Sequence, residues 1–428
     1  MIDLKDLREN KDKYVAGFKK KRADIDVDEL LKLDQSHREM LMEVEGMRAE
    51  KNEVSKKMPT LSEAEKKKAK DEMIALGEKQ KKAEDKLNKL FVQLRDLALK
   101  APNLTHESVP EGADENDNKV IRTVGEIPKF DFTPKDHLEL GELLDVIDTE
   151  TGAKTSGARF YYLKNELVLI EFALVNWLMK EFYENGFTPV TVPMLVKEEM
   201  MYATGFFPAD RNEIYRVNPK TEEMPDGDDL YLVGTSEVPL AGLHMFKPAD
   251  SKKLPLRYVG FSSCFRREAG SYGKDTKGIL RVHQFDKMEM FSFCHPDKSW
   301  EEHELLLSIE EKILQSLELP YQVVNICGGD LGAPAAKKYD CEVWIPTQGK
   351  YRELTSCSNC TDFQARRGNI RYKDETGTHY LHTLNGTAMA STRTLIALLE
   401  NNQQKDGSVK IPKVLHPFLP GITEIKPK

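Results

Sequence analysis

The sequence predicts an α+β protein, in which an antiparallel-sheet domain is preceded by a long antiparallel α-helical coiled-coil hairpin. Three observations predict it. Apolar residues recur in heptads through residues 28–100. Further on, strand-like and helix-like patterns mix irregularly, without the regular alternation that builds a parallel sheet. Finally, "FRREAGSYGKDTKGILRVHQFDKMEM" (265–290) reads as two alternating stretches around a glycine-broken loop, the pattern of two antiparallel strands.

Bulk properties narrow the class. With 428 residues, 39% of them hydrophobic and 31% charged, the chain suits a soluble globular protein of several domains. The net charge of −8 argues against bulk attraction to nucleic acid, but a local basic patch still acts over roughly a Debye length of 8–10 Å. The six cysteines show no framework spacing and point to a reducing compartment. Cys357-Ser-Asn-Cys360 is the sole CxxC pair, and no second pair stands at zinc-site spacing, so no metal or redox role is expected of it. The opening "MIDLKDLREN" lacks the layout of a signal peptide, and "LVLIEFALVNWLM" (167–179) is too short and too interrupted by Glu171 and Asn176 to span a membrane. A cytoplasmic location and no membrane partner are expected.

Three segments follow in order: 1–105 as the helical hairpin, 106–120 as a linker and 121–428 as the sheet domain. Alternate steps of three and four from Leu30 reach Leu33, His37, Met40, Val44, Met47, Lys51, Val54 and Met58. A second series runs Ala69, Met73, Leu76, Gln80, Ala83, Leu87, Leu90, Leu94 and Leu97. Between them Pro59 stops the first helix, and Ser62 with Glu65 has capping-box spacing for the second. The helices should therefore fold back on each other, with an arm of about 50–60 Å at 1.5 Å per residue. Its tip gathers Lys51, Lys56, Lys57, Lys66, Lys67, Lys68 and Lys70 in an otherwise acidic protein. Such a run is either a solvated face or a contact for a phosphate backbone.

The stretch 101–119 is proline-marked, acidic and unpatterned, which is linker composition. A long helix is expected over about 159–184, then short strands in "GFTPVTVPMLV" (186–196), the strand pair of 265–290, a helix near 298–317 and a last helix near 386–402. In the second strand of the pair, alternation puts Arg281, His283, Phe285, Lys287 and Glu289 on one face, while Arg266 and Glu268 share a face in the first. Gly270, Ser271, Gly273, Asp275 and Gly278 supply turn chemistry between them. Neither a GxGxxG nor a GxxxxGK[ST] loop is present.

Three separated motifs resemble those of class II aminoacyl-tRNA synthetases. "GFTPVTVPMLV", with Pro193, resembles the first, "FRREAGSYGKDTKGILRVHQFDKMEM" the second, and "NGTAMASTRTLIALLE" (385–400) the third. "TSEVPL" (235–240), "HQFDKMEM" (283–290), "ELTSCSNCTDFQARR" (353–367) and "IPKVLHPFLPG" (411–421) further resemble the seryl-tRNA synthetase family, over essentially the whole chain. Cys360 and the stretch Ala390-Ser391-Thr392 depart from the family's pattern without disturbing the resemblance.

The resemblance implies a class II catalytic domain behind a tRNA-binding arm. It implies activation of L-serine by ATP to seryl-adenylate, then transfer to the 3′ end of tRNA(Ser) and, by family analogy, of tRNA(Sec). It also implies a homodimer through the first motif near Pro193, with one subunit's arm serving tRNA bound across the other's site. Arg266, Glu268 and Arg393 would be catalytic. Arg266, Arg267, Glu268, Arg281, Phe285, Glu353, Leu354, Thr355, Ser356 and Arg393 would bind ATP. Within that set Arg266 would hold the α-phosphate through its planar fork, and Phe285 would stack on adenine. Glu268 would accept from the nucleotide's amino group or help fix the carboxylate-binding geometry. Arg281 and Arg393 would reach the outer phosphates, with covering the other face of the base as an alternative for Arg393. Glu353 and Ser356 would hold Mg²⁺ with hard oxygen ligands. Thr235, Ser236, Glu237, Arg266, Glu289, Asn385 and Thr387 would line the serine pocket, although Thr235 and Ser236 also stand where they could cap a helix from about Glu237. The seven lysines of the tip would touch tRNA.

Three rivals carry discriminating features. A paralogue that loads a carrier protein would lack the hairpin. A scaffold with a dead catalytic domain would lack some of Arg266, Glu268, Arg281, Glu289, Glu353 and Arg393, all of which are present. A synthetase for another amino acid would differ around Glu289 and Thr387.

Overall fold

The computed structural model describes residues 1–269 and 277–428, in two compact units, Met1–Pro102 and Asn103–Lys428. Gly270, Ser271, Gly273 and Asp275, assigned turn chemistry above, lie outside the described residues.

In the first unit two short helices, Leu4–Glu9 and Lys11–Lys20, precede the long pair α1 (Val27–Lys57) and α2 (Glu63–Lys100). Every residue of both heptad series is buried or half-buried, including the polar Lys51 and Gln80. Leu30 and Val44 are fully enclosed, and each such side chain contributes about 1.5–3 kcal/mol relative to exposure. Where the seam turns polar, Arg48 crosses to Glu84 at 2.7 Å and Gln80 donates to the same carboxylate at 3.0 Å. The turn is built as its residues demand. Pro59 sits in a single 3-10 turn, Met58–Thr60, and cannot continue α1. Glu65 accepts from the Ser62 backbone N–H at 2.9 Å and from its hydroxyl at 2.5 Å, closing the start of α2.

In the second unit the stretch expected as a linker is packed instead. The Asn103 side-chain amide donates to the carbonyls of Pro334 and Cys360 at 2.9 and 2.8 Å. Val109 is buried with Val324 and Ile326, and the chain is already a strand at Lys119. Backbone bonds from Asn103 to Ala333 and from His106 to Ala336, and the Asn325 amide on the Ser108 carbonyl, add to these; such irregular contacts leave no periodic pattern.

Eight strands make the main sheet: β1 (Lys119–Val124), β2 (Thr188–Thr191), β3 (Leu256–Phe265), β4 (Gln284–Cys294), β5 (Tyr321–Asn325), β6 (Lys337–Ile345), β7 (Lys350–Asn359) and β8 (His382–Ala390). Their order is β1-β5-β6-β7-β8-β4-β3-β2. Each pairing is antiparallel except β2 with β3, which is parallel at the edge. Helices α3 (His137–Leu143), α4 (Asn165–Glu184), α5 (Glu237–Ala241), α6 (Ser299–Ser316), α7 (Phe363–Gly368) and α8 (Ser391–Asn402) complete the frame used below. Leu174 of α4, Leu306 and Leu314 of α6 and Leu395 of α8 share one core with Met288 and Met290 of β4.

Several boundaries differ from expectation: the long helix starts at Asn165 rather than near 159, and Arg266 and Glu268 lie beyond β3, which ends at Phe265. Residues 386–390, expected as helix, are strand; Ala and Met favour helices, but insertion between β7 and β4 overrides that weak preference. β4 begins at Gln284, paired with Phe265, so Arg281 and His283 precede the strand rather than forming part of it.

Candidate active site

Two bulges decide which side chains meet. Between β4 and β8 the register passes from Glu289↔Thr387 to Met288↔Met389, leaving Ala388 as an extra residue. Between β6 and β7 it passes from Glu342↔Glu353 to Cys341↔Thr355, leaving Leu354 extra. Strict alternation sends residues i and i+3 to opposite faces, and an inserted residue restores them to one. Glu353 with Ser356, and Thr387 with Ala390, thereby line the same cleft. Its volume is about 550 Å³, and its walls also carry Arg266, Glu268, Arg281, Phe285, Leu354 and Arg393.

The outer part is cationic and aromatic. The Arg266 guanidinium lies 5.3 Å from the centroid of the Phe285 ring, while its Nε donates to the Gly234 carbonyl at 3.2 Å. This stack holds a planar cation beside a planar ring. Arg281 Nη1 meets Glu268 Oε2 at 3.3 Å, and Glu268 itself takes a left-handed backbone, φ 50°, at the exit of β3. Across the cleft Arg393 Nη1 donates to the Glu353 carbonyl at 2.8 Å and stands 3.3 Å from its carboxylate. Surrounding protein would raise the Glu353 pKa, but Arg393, Lys338 and Arg266 outweigh that effect and pull it to about 2. Its side chain is still 44% exposed toward the opening. Glu353 is thus an ionised hard-oxygen donor beside the Ser356 hydroxyl, chemistry that fits Mg²⁺. Among the described residues no three or more His, Cys, Asp or Glu gather as a metal site, so phosphate oxygens would have to complete the ion's shell.

The inner part is a buried acidic recess. Lys287 Nζ stands 2.5 Å from Glu289 Oε2 and donates to Thr235 Oγ1 at 3.1 Å. Thr387 Oγ1 donates to Glu289 Oε2 at 3.3 Å. Glu237 Oε1 accepts from Gln364 Nε2 at 2.7 Å and from Asn385 Nδ2 at 3.1 Å. Burial, and then the charge of Glu289, push the Glu237 pKa up to about 7. Gly260 of β3 makes room for this arrangement: a Cβ there would come within 3.1 Å of Ser236 Cβ and 3.0 Å of Leu240. The Glu237 N–H does point at Thr235 Oγ1, at 3.4 Å, whereas the Ser236 hydroxyl turns away to Ser262 at 2.8 Å.

The structure therefore gathers Arg266, Glu268, Arg281, Phe285, Glu353, Leu354, Ser356, Thr387 and Arg393 on one cleft, with Thr235, Glu237, Glu289 and Asn385 in the linked buried network. Two residues named for ATP lie elsewhere. Thr355 is buried and donates to Glu310 Oε2 at 2.8 Å, and the exposed Arg267 meets the Glu213 carbonyl through its backbone N–H. Two residues had no role from sequence. Lys287 falls between Phe285 and Glu289 in the alternation, which could have marked it. Gln364, fully buried and also bonded to Thr204 O and Thr383 Oγ1, carries no signal beyond its place in 353–367. In the first unit Lys56, Lys57, Lys67, Lys68 and Lys70 are exposed and Lys51 and Lys66 half-buried. Cys357 and Cys360 are buried free thiols, and Asn385 Nδ2 lies 3.8 Å from Cys360 Sγ. No helix among the described residues is long and apolar enough to cross a membrane.

A cationic cleft with a ring at its wall, an ionised carboxylate beside a hydroxyl, and a buried recess with two carboxylates can hold a polyanionic nucleotide next to a small ammonium- and hydroxyl-bearing ligand. Comparisons agree. Residues 1–105 match the model of the seryl-tRNA synthetase N-terminal domain, and residues 215–402 that of the tRNA synthetase class II core domain (G, H, P, S and T). The chain is 50% identical to a serine–tRNA ligase of Thermobifida fusca over 98% of this chain and 97% of that one. It superposes on the seryl-tRNA synthetase of Pyrococcus horikoshii complexed with ATP with a TM-score of 0.89, at 42% identity and full coverage of both chains. The cytoplasmic enzyme of Naegleria fowleri in complex with AMP gives 0.85 at 34% identity, covering 98% of this chain and 96% of that one.

Proposed function

The chain belongs to the seryl-tRNA synthetase family, and from that premise we propose that its cleft joins L-serine to ATP as seryl-adenylate and delivers the seryl group to the 3′ end of tRNA(Ser). The observation that carries this reading is the meeting of Arg266, Phe285, Glu353 and Arg393 on one cleft beside the Glu289 recess. In the first step a serine carboxylate oxygen attacks the α-phosphorus and pyrophosphate leaves. An anion approaches a polyanion, so neutralisation and alignment dominate, and no side-chain nucleophile is needed.

Adenine stacks on Phe285, Arg266 holds the α-phosphate, and Arg281 and Arg393 take the outer phosphates. Glu353 and Ser356 would hold Mg²⁺, which would neutralise phosphate charge when bound. Glu268, tied to Arg281, accepts from the nucleotide's amino group. Glu289, Glu237, Asn385, Thr387 and Thr235 surround the ammonium and hydroxyl of serine. Alanine would leave these buried groups unpaired, a loss worth up to about 10⁴–10⁵ in discrimination.

The lysine tip of α1 and α2 binds the backbone of tRNA(Ser), reading shape rather than anticodon, and tRNA(Sec) is charged through the same contacts. A second copy of the chain covers the first motif in a cytoplasmic homodimer. Support lies in large apolar side chains left exposed: Leu169 (47%) and Phe172 (58%) on α4, and Met194 (42%) and Leu195 (41%) beside Pro193. Aminoacylation of total tRNA with labelled serine tests the reading. Acid-precipitable serine on tRNA is expected; transfer to a carrier protein instead would refute it.

A further inference from the structure

Helix α8 carries Arg393 in its first turn and Glu400 about two turns later. Glu400 is completely buried. Its Oε1 accepts from His137 Nδ1 at 3.0 Å and from the His137 backbone N–H at 3.2 Å. Its Oε2 accepts from the Thr347 hydroxyl at 2.6 Å. His137 opens α3 and is itself buried, and its Nε2 accepts the Ile279 backbone N–H at 3.3 Å. That acceptance puts the ring proton on Nδ1, facing Glu400. The preceding Gly278 lies close against the Nε2 side of the ring: its φ is 78°, and a Cβ there would stand 2.0 Å from His137 Nε2. Arg281, two residues beyond Ile279, then reaches Glu268.

A buried carboxylate is costly unless its bonds are met, and an apolar joint could hold these elements equally well. What the carboxylate–imidazole–amide chain adds is direction. It fixes one backbone N–H, and so the register of the limb 277–283, against the helix that bears Arg393. Neither His137 nor Glu400 lines the cleft. We propose that His137 and Glu400 are positioning residues that hold Arg281 in register against α8, so that it converges with Arg393 on one polyphosphate. This rests on the reading that Arg281 meets the outer phosphates of ATP.

The test is serine-dependent ATP–pyrophosphate exchange on the full chain, with KM measured for each substrate. His137→Ala should raise KM for ATP by about tenfold or more, the scale of a misplaced contact, and leave KM for serine within about twofold. Arg281→Ala should raise KM for ATP likewise, and adding His137→Ala to it should cost nothing further, because both act through one side chain. Gly278→Ala, which drives a methyl into the ring, should give the same signature and serves if His137→Ala does not fold. Equal rises in both KM values, or a His137→Ala effect undiminished in the Arg281→Ala background, would overturn the inference and leave His137 a purely structural residue. No change in KM for ATP in His137→Ala, with Arg281→Ala effective, would overturn it too. An ineffective Arg281→Ala would instead sink the phosphate reading, and this inference with it.

Discussion

Glu289 and Glu237 sit in one buried recess with different electrostatic support. Glu289 has Lys287 at 2.5 Å, whereas Glu237 accepts from two amides, and burial with the Glu289 charge outweighs the pull of Lys287 and Arg266 on it. Glu289→Ala should abolish serine-dependent pyrophosphate exchange, by about 10²–10³ or more, while circular dichroism shows the fold intact. Wild-type exchange in that variant would remove Glu289 from the pocket. Glu237 gives a pH dependence. With its pKa raised to about 7, the empty site holds it protonated below that pH. A serine ammonium favours the carboxylate, so binding there must expel the proton. KM for serine should therefore rise as pH falls below about 7, by up to tenfold per unit, and stay flat above it. Glu237→Gln should flatten the profile; an unchanged slope would show that another group titrates. The paired acids and guanidinium groups were legible through motifs that resemble the family's, since a lone Arg or Glu is usually a surface ion pair, and the fold brings them to one cleft and its recess. Gln364 was not, since it touches Glu237, Thr204 and Thr383 rather than the cleft itself. Nor did the letters show that Thr355 faces Glu310 while its neighbours face the cleft.

Elements differ in how openly the sequence states them. The α1–α2 pair was readable because one seam repeats many times, and the Pro59 break and Ser62–Glu65 cap mark its turn. Ser62→Ala removes the cap hydroxyl and should cost about 1 kcal/mol, felt as faster amide exchange around residues 58–66 and little change elsewhere. The bulges at Leu354 and Ala388 were unreadable: they arise from pairing with distant strands, and no local pattern announces an extra residue. The same holds for 386–390, whose strand state is imposed by its neighbours. Deleting residues 35–95 should spare adenylate formation and destroy tRNA charging, since the residues of the cleft and its recess all lie within 235–393. Equal loss of both would contradict that division of labour.

At the scale of the whole molecule, the exposed apolar residues of α4 and the Pro193 segment call for a covering surface. Phe172→Glu should shift the protein from dimer to monomer in analytical ultracentrifugation, whereas a wild-type monomer would contradict the proposed assembly. The order of the motifs along the chain disclosed the two-part architecture. It could not disclose the packing of 103–118, which rests on scattered contacts such as Asn103 with Cys360, Val109 with Val324 and the Ser108 carbonyl with Asn325.

Charged groups on β4, β7, α5 and α8, and on the segments beside β3 and β4, must act together on one nucleotide and one hydroxymethyl amino acid. ATP–pyrophosphate exchange with serine, alanine and threonine offered separately probes that most directly. Exchange driven by serine alone, and lost in Arg266→Ala and Arg393→Ala, is the result predicted. Exchange that ignores which amino acid is present, or survives both substitutions, would contradict it.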